Sequence, residues 1–445
     1  MPTISWYVPG EPSSDTEMVM EELNKLIEPK IGAKLDLNII DDGAYDQRMS
    51  MMMAADEDYD ICFTANWNNK FWPNVEKDAF LPLDDLISQY APGLKDVIPD
   101  IAWNASRVNG KIYAIPNMQV LFQRFGIRLI KELTDKYNFD LDSVKKVEDI
   151  EPFLAQVKAN EPNVIPFNPN IEFWMGYDYE EIKTAKCFVK KDGSDFTVLQ
   201  RERMPEYVQG IKTMRDWFLK GYIRNDIASN PGQSSNLVKI AATPTTWIPG
   251  CEAELAPLIG YEPVYTYFED IYLDANAGSD TMTAINRASK NPEKAMQIIE
   301  LVNTDKDVLN TLVFGIEGKH YKKTSDDSIE LISDGSRYLG ANYAWRFGNS
   351  FNAYRLPGVA EGTAEETIRL NETAKVSPIS GFVFNSEPVK EALTQVNAIR
   401  NEYKALELGA VDLEIYDEYL KKLDSAGMQE ILAECQRQLD AYMAK

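Results

Sequence analysis

The chain has a single histidine, His320, in 445 residues. That excludes metal sites built from several histidines and leaves His-dependent catalysis one candidate. Cysteine is also scarce: Cys62, Cys187, Cys251 and Cys435 are far apart and form no C-x-x-C. Zinc-ribbon and thioredoxin-type sites fail on that spacing. A disulfide framework is not expected in so long a chain, although one bridge stays open. No stretch reaches the roughly 18 apolar residues that a membrane-spanning helix needs. Cations are in deficit, with 46 Lys and Arg against 70 Asp and Glu and a net charge of −24. Such a field repels phosphate backbones and anionic lipid, so nucleic acid and membrane surfaces are not expected partners; the charge reads as a solvated, soluble surface. Phosphate-loop, nucleophile-elbow and zincin motifs are missing, as are repeats and low-complexity tracts. No secretory leader precedes the first strand-like run, Thr3–Val8, as expected of a mature or shortened chain.

The rest is an ordinary globular balance, 44% hydrophobic and 26% charged, long enough for two to four domains or lobes. After Thr3–Val8 comes the turn Pro9-Gly10. Ser13, Ser14 or Asp15 then caps a helix with Val19, Leu23, Leu26 and Ile27 inside, ended by Pro29 and Gly32. Leu35, Leu37 and Ile39 alternate as a second strand, which makes a β-α-β unit and so a parallel sheet. A helix with Met49, Met51, Met52 and Met53 follows, read as core filling. The strand Tyr59–Thr64 then runs into Ala65-Asn-Trp-Asn-Asn69, a loop of amides and an indole where open α/β sheets bind ligands. Helices are expected at Ile127–Tyr137, Val147–Ala159 and Pro205–Lys220, and one capped by Asn291 with Pro292 at its first position. Tyr338–Pro357 reads as irregular. The last 55 residues read as helical, interrupted at Gly409 and Gly427, with Cys435 on a buried apolar stripe.

Eight Trp, 22 Tyr and 18 Phe make the chain 11% aromatic. Aromatic faces stack on the C–H faces of pyranose rings, and amides, carboxylates and Arg bond paired hydroxyls. By placement in predicted loops or strand ends, the candidates are Trp6, Tyr7, Trp67, Trp174, Tyr177, Trp247, Tyr343 and Trp345. Their polar companions are Asn66, Asn68, Asn117, Gln119, Thr281, Arg346 and Asn349. Turn chemistry competes for the asparagines, and for Asn349 it is the favoured reading. His320 reads as a structural histidine bonding a loop carbonyl. The acidic run Asp56–Asp60 lacks the glycine and distal Glu of a calcium loop and reads as a solvated turn. No catalytic residue, metal ligand or cofactor is assigned.

Three segments in order, Tyr59-Asp-Ile, Phe80-Leu-Pro-Leu-Asp-Asp-Leu-Ile87 and Gly110-Lys-Ile-Tyr-Ala-Ile-Pro116, resemble extracellular solute-binding proteins of ATP-binding-cassette (ABC) importers. Lys290–Met296, Gly315-Ile-Glu-Gly-Lys-His-Tyr321, Arg346-Phe-Gly-Asn349 and Gly381–Val389 resemble the LipO-like lipoprotein subgroup. Leu423–Gly427 and Glu434–Asp440 are similar to its extra C-terminal domain, DUF3502. The resemblance runs over essentially the whole chain.

It implies a bilobed periplasmic-binding-protein-like α/β fold of type II with a helical C-terminal region. Lobe 1 would hold residues 1–117 and 280–332, and lobe 2 residues 118–279 and 333–445. Crossings would fall near Pro116–Gln119, Asp274–Thr281 and Ser333–Trp345. The implied function is capture of a carbohydrate, an oligosaccharide by preference, in an interlobe cleft, with hinge closure and delivery to the transmembrane subunits of an ABC permease by a monomeric, extracellular, lipid-anchored protein. No lipidated cysteine stands at the start of this sequence, so anchoring is implied by the resemblance alone. Two rivals remain: the same fold taking a peptide or another polar small molecule, and a glycan-cleaving enzyme using two carboxylates.

Overall fold

In the computed structural model the described residues are 1–174, 176, 178–229, 239–268, 270–332, 338 and 341–444. They form two compact units, Met1–Leu121 with Asn276–Arg369 and Phe122–Ala275 with Leu370–Lys445. The chain therefore passes between units three times, at 121–122, 275–276 and 369–370. The first two passages lie within a few residues of the crossings drawn from sequence. The third falls later than Ser333–Trp345. Of that stretch, 333–337, 339 and 340 lie outside the described residues, and 338 and 341–345 belong to the first unit.

The first unit is built on the predicted β-α-β start. Strand β1 (Thr3–Pro9) alternates with Ile4, Trp6 and Val8 inward, each fully buried. Helix α1 (Thr16–Ile31) buries Val19, Met20, Leu23 and Ile27. Pro29 lies inside this helix rather than ending it; Gly32 ends it in the left-handed conformation, at φ 65°. Strand β2 (Lys34–Ile40) pairs parallel to β1 over seven residues. Helix α2 (Asp42–Ala54) buries Met49 and Met52 but leaves Met51 exposed. Strand β3 (Ile61–Thr64) also runs parallel to β1. With β4 (Ile115–Pro116) and β5 (Met282–Ile285), which joins antiparallel, the order is β2-β1-β3-β5-β4. The helix Pro292–Thr304 begins at Asn291 as expected, and its stripe Ala295, Ile298, Ile299 and Val302 is fully buried.

Asp15 precedes α1 without capping it. Its carboxylate instead meets His320 Nε2 at 3.0 Å and Lys319 Nζ at 3.1 Å. The Ile316 N–H donates to His320 Nδ1 at 2.9 Å, so Nε2 carries the proton and donates to Asp15. His320 is thus structural, but it bonds a carboxylate and a backbone amide rather than a loop carbonyl. The acidic run is also accounted for among neighbours: Glu57 pairs with Arg48, Asp58 with Lys290, and Asp60 accepts from Ser5 and Ser289.

The second unit holds a four-stranded sheet. Its central strand, Phe125–Ile130, is flanked antiparallel by Ile240–Thr246 and Pro263–Tyr267, with Ile165–Phe167 beyond. This corrects the helix expected over Ile127–Tyr137: only Lys131–Lys136 is helical. A short apolar run does not distinguish a buried strand from a helix. Here Gly126 packs against the Thr266 carbonyl, where a Cβ would lie 2.2 Å from the oxygen. A three-stranded sheet, Tyr179–Ile182, Cys187–Lys190 and Leu199–Gln200, shares one core with the C-terminal helices Lys390–Glu402, Tyr416–Ser425 and Met428–Met443. Cys435 is buried there, and all four cysteines are free thiols.

Buried charge joins those helices to the rest of the unit. Arg400 Nε donates to Glu202 at 2.8 Å, Arg201 reaches Glu202 at 3.2 Å and Glu407 at 2.6 Å, and all four side chains are at most 5% exposed. Arg400 and Arg201 hold the Glu202 carboxyl below its ordinary range despite the burial that opposes them.

Candidate functional site

The loop after β3 lies at the carboxyl end of the parallel strands, where the sequence places it. Backbone bonds close it tightly. Ala65 N–H donates to Asn68 O at 3.0 Å, and Asn69, at φ 44°, donates to Asp46 Oδ1 at 2.8 Å. Asn66 is turned sideways: Nδ2 donates to Ser279 Oγ at 3.0 Å and Asp280 Oδ1 at 2.6 Å. Trp67 is half exposed, at 51%, and its indole N–H donates to the Asp280 carbonyl at 2.8 Å. The ring is therefore exposed but fixed at one edge.

Beside it stands Trp345, with ring centroids 6.5 Å apart and planes inclined by 50°. Phe63 supports both edge-on at 6.0 Å. Asn117 holds the Trp345 backbone, donating from Nδ2 to its carbonyl at 3.1 Å and accepting from Thr283 Oγ1 at 3.0 Å. The Arg346 guanidinium lies 4.6 Å from the Trp345 ring and 4.4 Å from the Tyr343 ring. It donates to the Pro9 carbonyl and, at 3.1 Å, to Asp42 Oδ1. Tyr343 in turn presses on Gly10, where a Cβ would lie 2.6 Å from Cε1, so only glycine fits. Gln119 Nε2 donates to Thr281 Oγ1 at 3.1 Å. The result is a ledge formed by the Trp67 and Trp345 rings with Tyr343 nearby, all from the first unit, and Asn117, Thr281 and Arg346 are buried supports beneath it. Stacking on apolar sugar faces is what such rings do.

The ledge gathers Asn66, Trp67, Asn117, Gln119, Thr281, Tyr343, Trp345 and Arg346 from the expected residues. Others lie elsewhere. Trp6 is a core residue, fully buried with its ring edge-on to Phe347 at 5.4 Å; its inward position in β1 dictates this. Tyr7, on the opposite face of β1, packs against Tyr59. Asn68 is buried within the loop. Asn349 is also buried, and its Oδ1 accepts from Phe351 N, the turn role favoured for it. Trp174 is buried in the second unit against Trp217, bonding Glu148. Trp247 also belongs to the second unit, with its indole N–H on Glu252 and its ring beside Tyr267 and Arg124. Tyr177 lies outside the described residues. Sequence reasoning missed Ser279, Asp280, Phe63 and Asp42. Asp280 was within reach, since it immediately precedes Thr281.

Residues 378–444 match the family model described as Domain of unknown function (DUF3502). A "Carbohydrate ABC transporter substrate-binding protein" of Streptococcus pneumoniae serotype 4 (strain ATCC BAA-334 / TIGR4) is 28% identical over 460 residues, covering 99% of this chain and 91% of that protein. The crystal structure of the N-glycan transport solute binding protein NgtS from Streptococcus pneumoniae superposes over the whole of both chains with a TM-score of 0.90 at 26% identity. The same protein in complex with Man1GlcNAc gives 0.82, and with Man5GlcNAc 0.78. The alginate-binding protein AlgQ2 without calcium ion, at 16% identity and a TM-score of 0.66 over 99% of this chain and 98% of that one, shares the fold. The resemblance to carbohydrate-type solute-binding proteins with a DUF3502 domain is borne out, and so is the α/β fold class it implied.

Proposed function

We propose that this chain is the substrate-binding component of an ABC importer, and that it captures an oligosaccharide on the Trp67–Trp345 ledge. The observation that carries the reading is an exposed indole that is nevertheless immobilised: Trp67 is held through its N–H by Asp280 and flanked by Trp345, so its face is ready for a sugar ring without further ordering. The Streptococcus pneumoniae relatives, named for carbohydrate and N-glycan transport, support the ligand class. A neutral glycan of mannose and N-acetylglucosamine is the first ligand to try. Trp6, Tyr7, Asn68, Trp174 and Trp247 are not part of the proposed ledge.

Delivery to a permease, closure of the two units on the ligand, action as a monomer and attachment to the outer membrane leaflet through a lipidated cysteine belong to the same proposal. So does the absence of catalysis: the named relatives are binding proteins. A thermal-shift screen against mono- and oligosaccharides, with peptides alongside, tests the ligand class. A ligand that binds only the folded state at a hundredfold excess over Kd adds about 2.7 kcal/mol of stability. A shift with one glycan class supports the proposal. A shift with peptides and none with glycans replaces it by the peptide reading.

A further inference from the structure

Residues 65–70 join β3 to the helix Phe71–Glu76, and Trp67 stands among them. The bond from its indole N–H to Asp280 fixes one edge of the ring. The plane of the ring then depends on where the loop backbone starts the side chain. Asn69, which is not part of the ledge, governs that start. It is 1% exposed, so it has no face to offer a ligand. Its four polar functions are nevertheless all engaged, each by a different neighbour. The backbone N–H donates to Asp46 Oδ1 in α2 at 2.8 Å, and the backbone carbonyl accepts from Thr64 Oγ1 at 2.5 Å. The side-chain Nδ2 donates to the Phe63 carbonyl at 2.8 Å and lies 3.6 Å from Cys62 Sγ. The Oδ1 accepts from Asn74 Nδ2, in the following helix, at 2.8 Å.

Phe63 is also the residue whose ring supports Trp67 and Trp345 edge-on. One asparagine therefore ties the Trp67 loop to the strand that carries its support, to α2 and to the next helix. The residue type follows from these demands. At φ 44° the backbone is left-handed, a conformation that asparagine, aspartate and glycine adopt far more readily than bulky residues. Glycine would offer no side chain to Phe63 or Asn74. Aspartate would press a carboxylate oxygen on the Phe63 carbonyl, which can only accept. Asparagine supplies the donor and the acceptor together.

We infer that Asn69 is a positioning residue for ligand capture: it touches no ligand and sets the orientation from which Trp67 presents its ring. The inference deepens the carbohydrate-binding reading above and rests on it. Asn69→Gly tests it, because glycine keeps the left-handed backbone and both backbone bonds and deletes only the side-chain grip. Titration calorimetry with Man5GlcNAc on wild type, Asn69→Gly, Trp67→Ala and the double variant forms a closed cycle. A ring correctly oriented for only a fraction of the time binds more weakly by that fraction, so Asn69→Gly should weaken binding about fivefold when Trp67 is present and less than about twofold when it is alanine. An equal loss in both backgrounds, or no loss with Trp67 present, overturns the inference.

A ligand-free readout keeps the two claims apart. In the fluorine NMR spectrum of the full chain labelled with fluorotryptophan, the Trp67 signal is the one missing from Trp67→Phe. Asn69→Gly should shift or broaden that signal, and an unmoved signal overturns the inference even where the melting temperature falls. If wild type binds no glycan, the carbohydrate reading fails, and the Trp67 signal alone decides whether Asn69 orients the ring. Should Asn69→Gly not fold, Asn74→Ala, which withdraws only the bond to Oδ1, takes its place under the same criteria.

Discussion

Trp67 and Asp280 are 213 residues apart in sequence, and the indole N–H of the first donates to the backbone carbonyl of the second at 2.8 Å. Asp280 uses its carboxylate at the same time to fix Asn66. One residue at the start of the returning segment thus holds both Asn66 and Trp67 of the loop after β3, and an exposed tryptophan is fixed at one edge.

The first prediction concerns the ledge. Trp67→Ala and Trp345→Ala each remove a stacking face. An aromatic contact contributes about 0.5–1.5 kcal/mol beyond its buried area, so glycan affinity should fall about tenfold or more. Trp67→Ala should leave the melting temperature almost unchanged, because its ring is half exposed. Titration calorimetry with scanning calorimetry on the same samples reads both quantities.

A second prediction concerns Asp15 and His320. Hydrogen bonds from His320, then Lys319, hold the Asp15 carboxyl below its ordinary range. A carboxyl with a depressed folded-state pKa contributes stability above its unfolded pKa of about 3.9 and loses it as pH falls. The melting-temperature gap between wild type and Asp15→Asn should therefore be open near neutral pH and narrow below about pH 4. His320→Ala strands the Ile316 N–H and should cost about 1–3 kcal/mol in chemical denaturation. A gap that widens on acidification would contradict the assignment.

Glu180 behaves in the opposite sense. It is buried, and it accepts from Tyr272 and Ser377 hydroxyls, both at 2.6 Å, and from the Ala275 N–H. Burial, with Asp274 nearby, raises its carboxyl above the ordinary range in spite of these bonds. A raised folded-state pKa means that stability is fully present below the unfolded value, about 4.3 for Glu, and declines as pH rises. Glu180→Gln cannot ionise, and the two hydroxyls can turn to accept from its amide. It should match wild type near pH 4 and exceed it in melting temperature at pH 8. Equal curves at both pH values would sink this account.

The C-terminal segment should not be separable. Its helices share a core with the three-stranded sheet, and Arg400 and Glu407 complete a buried charge set with Arg201 and Glu202. Removing one member leaves charge unpaired, at about 3–5 kcal/mol. Arg400→Ala should therefore lower the denaturation midpoint sharply, and deleting 378–445 should unfold the second unit. Retention of cooperative unfolding in the truncated chain, measured by circular dichroism, would contradict the shared core.

Much of the first unit was legible because local signals agreed. Alternation in Thr3–Val8 and Leu35–Ile39, the apolar stripe of the helix between them, and Asn291-Pro292 each describe the element that forms. The same alternation puts Ile4, Trp6 and Val8 on one face, which is enough to send Trp6 into the core although it is the same residue type as Trp67. Ile127–Tyr137 misled because its apolar spacing fits both periods; the strands that decide the matter lie over a hundred residues away. For the ledge, Trp67, Trp345 and Arg346 were readable as candidates and Asp280 only through its place beside Thr281, while Ser279 was not, because what it holds is brought to it only by the sheet.

The measurement that tests the central claim most directly is a titration of wild-type protein with Man5GlcNAc, followed by calorimetry and tryptophan fluorescence and repeated on the Trp67→Phe, Trp345→Phe double variant. The account predicts saturable single-site binding, a fluorescence change on saturation, and loss of that change with weakened binding in the double variant. Saturable binding of a peptide with no response to any neutral glycan would contradict it.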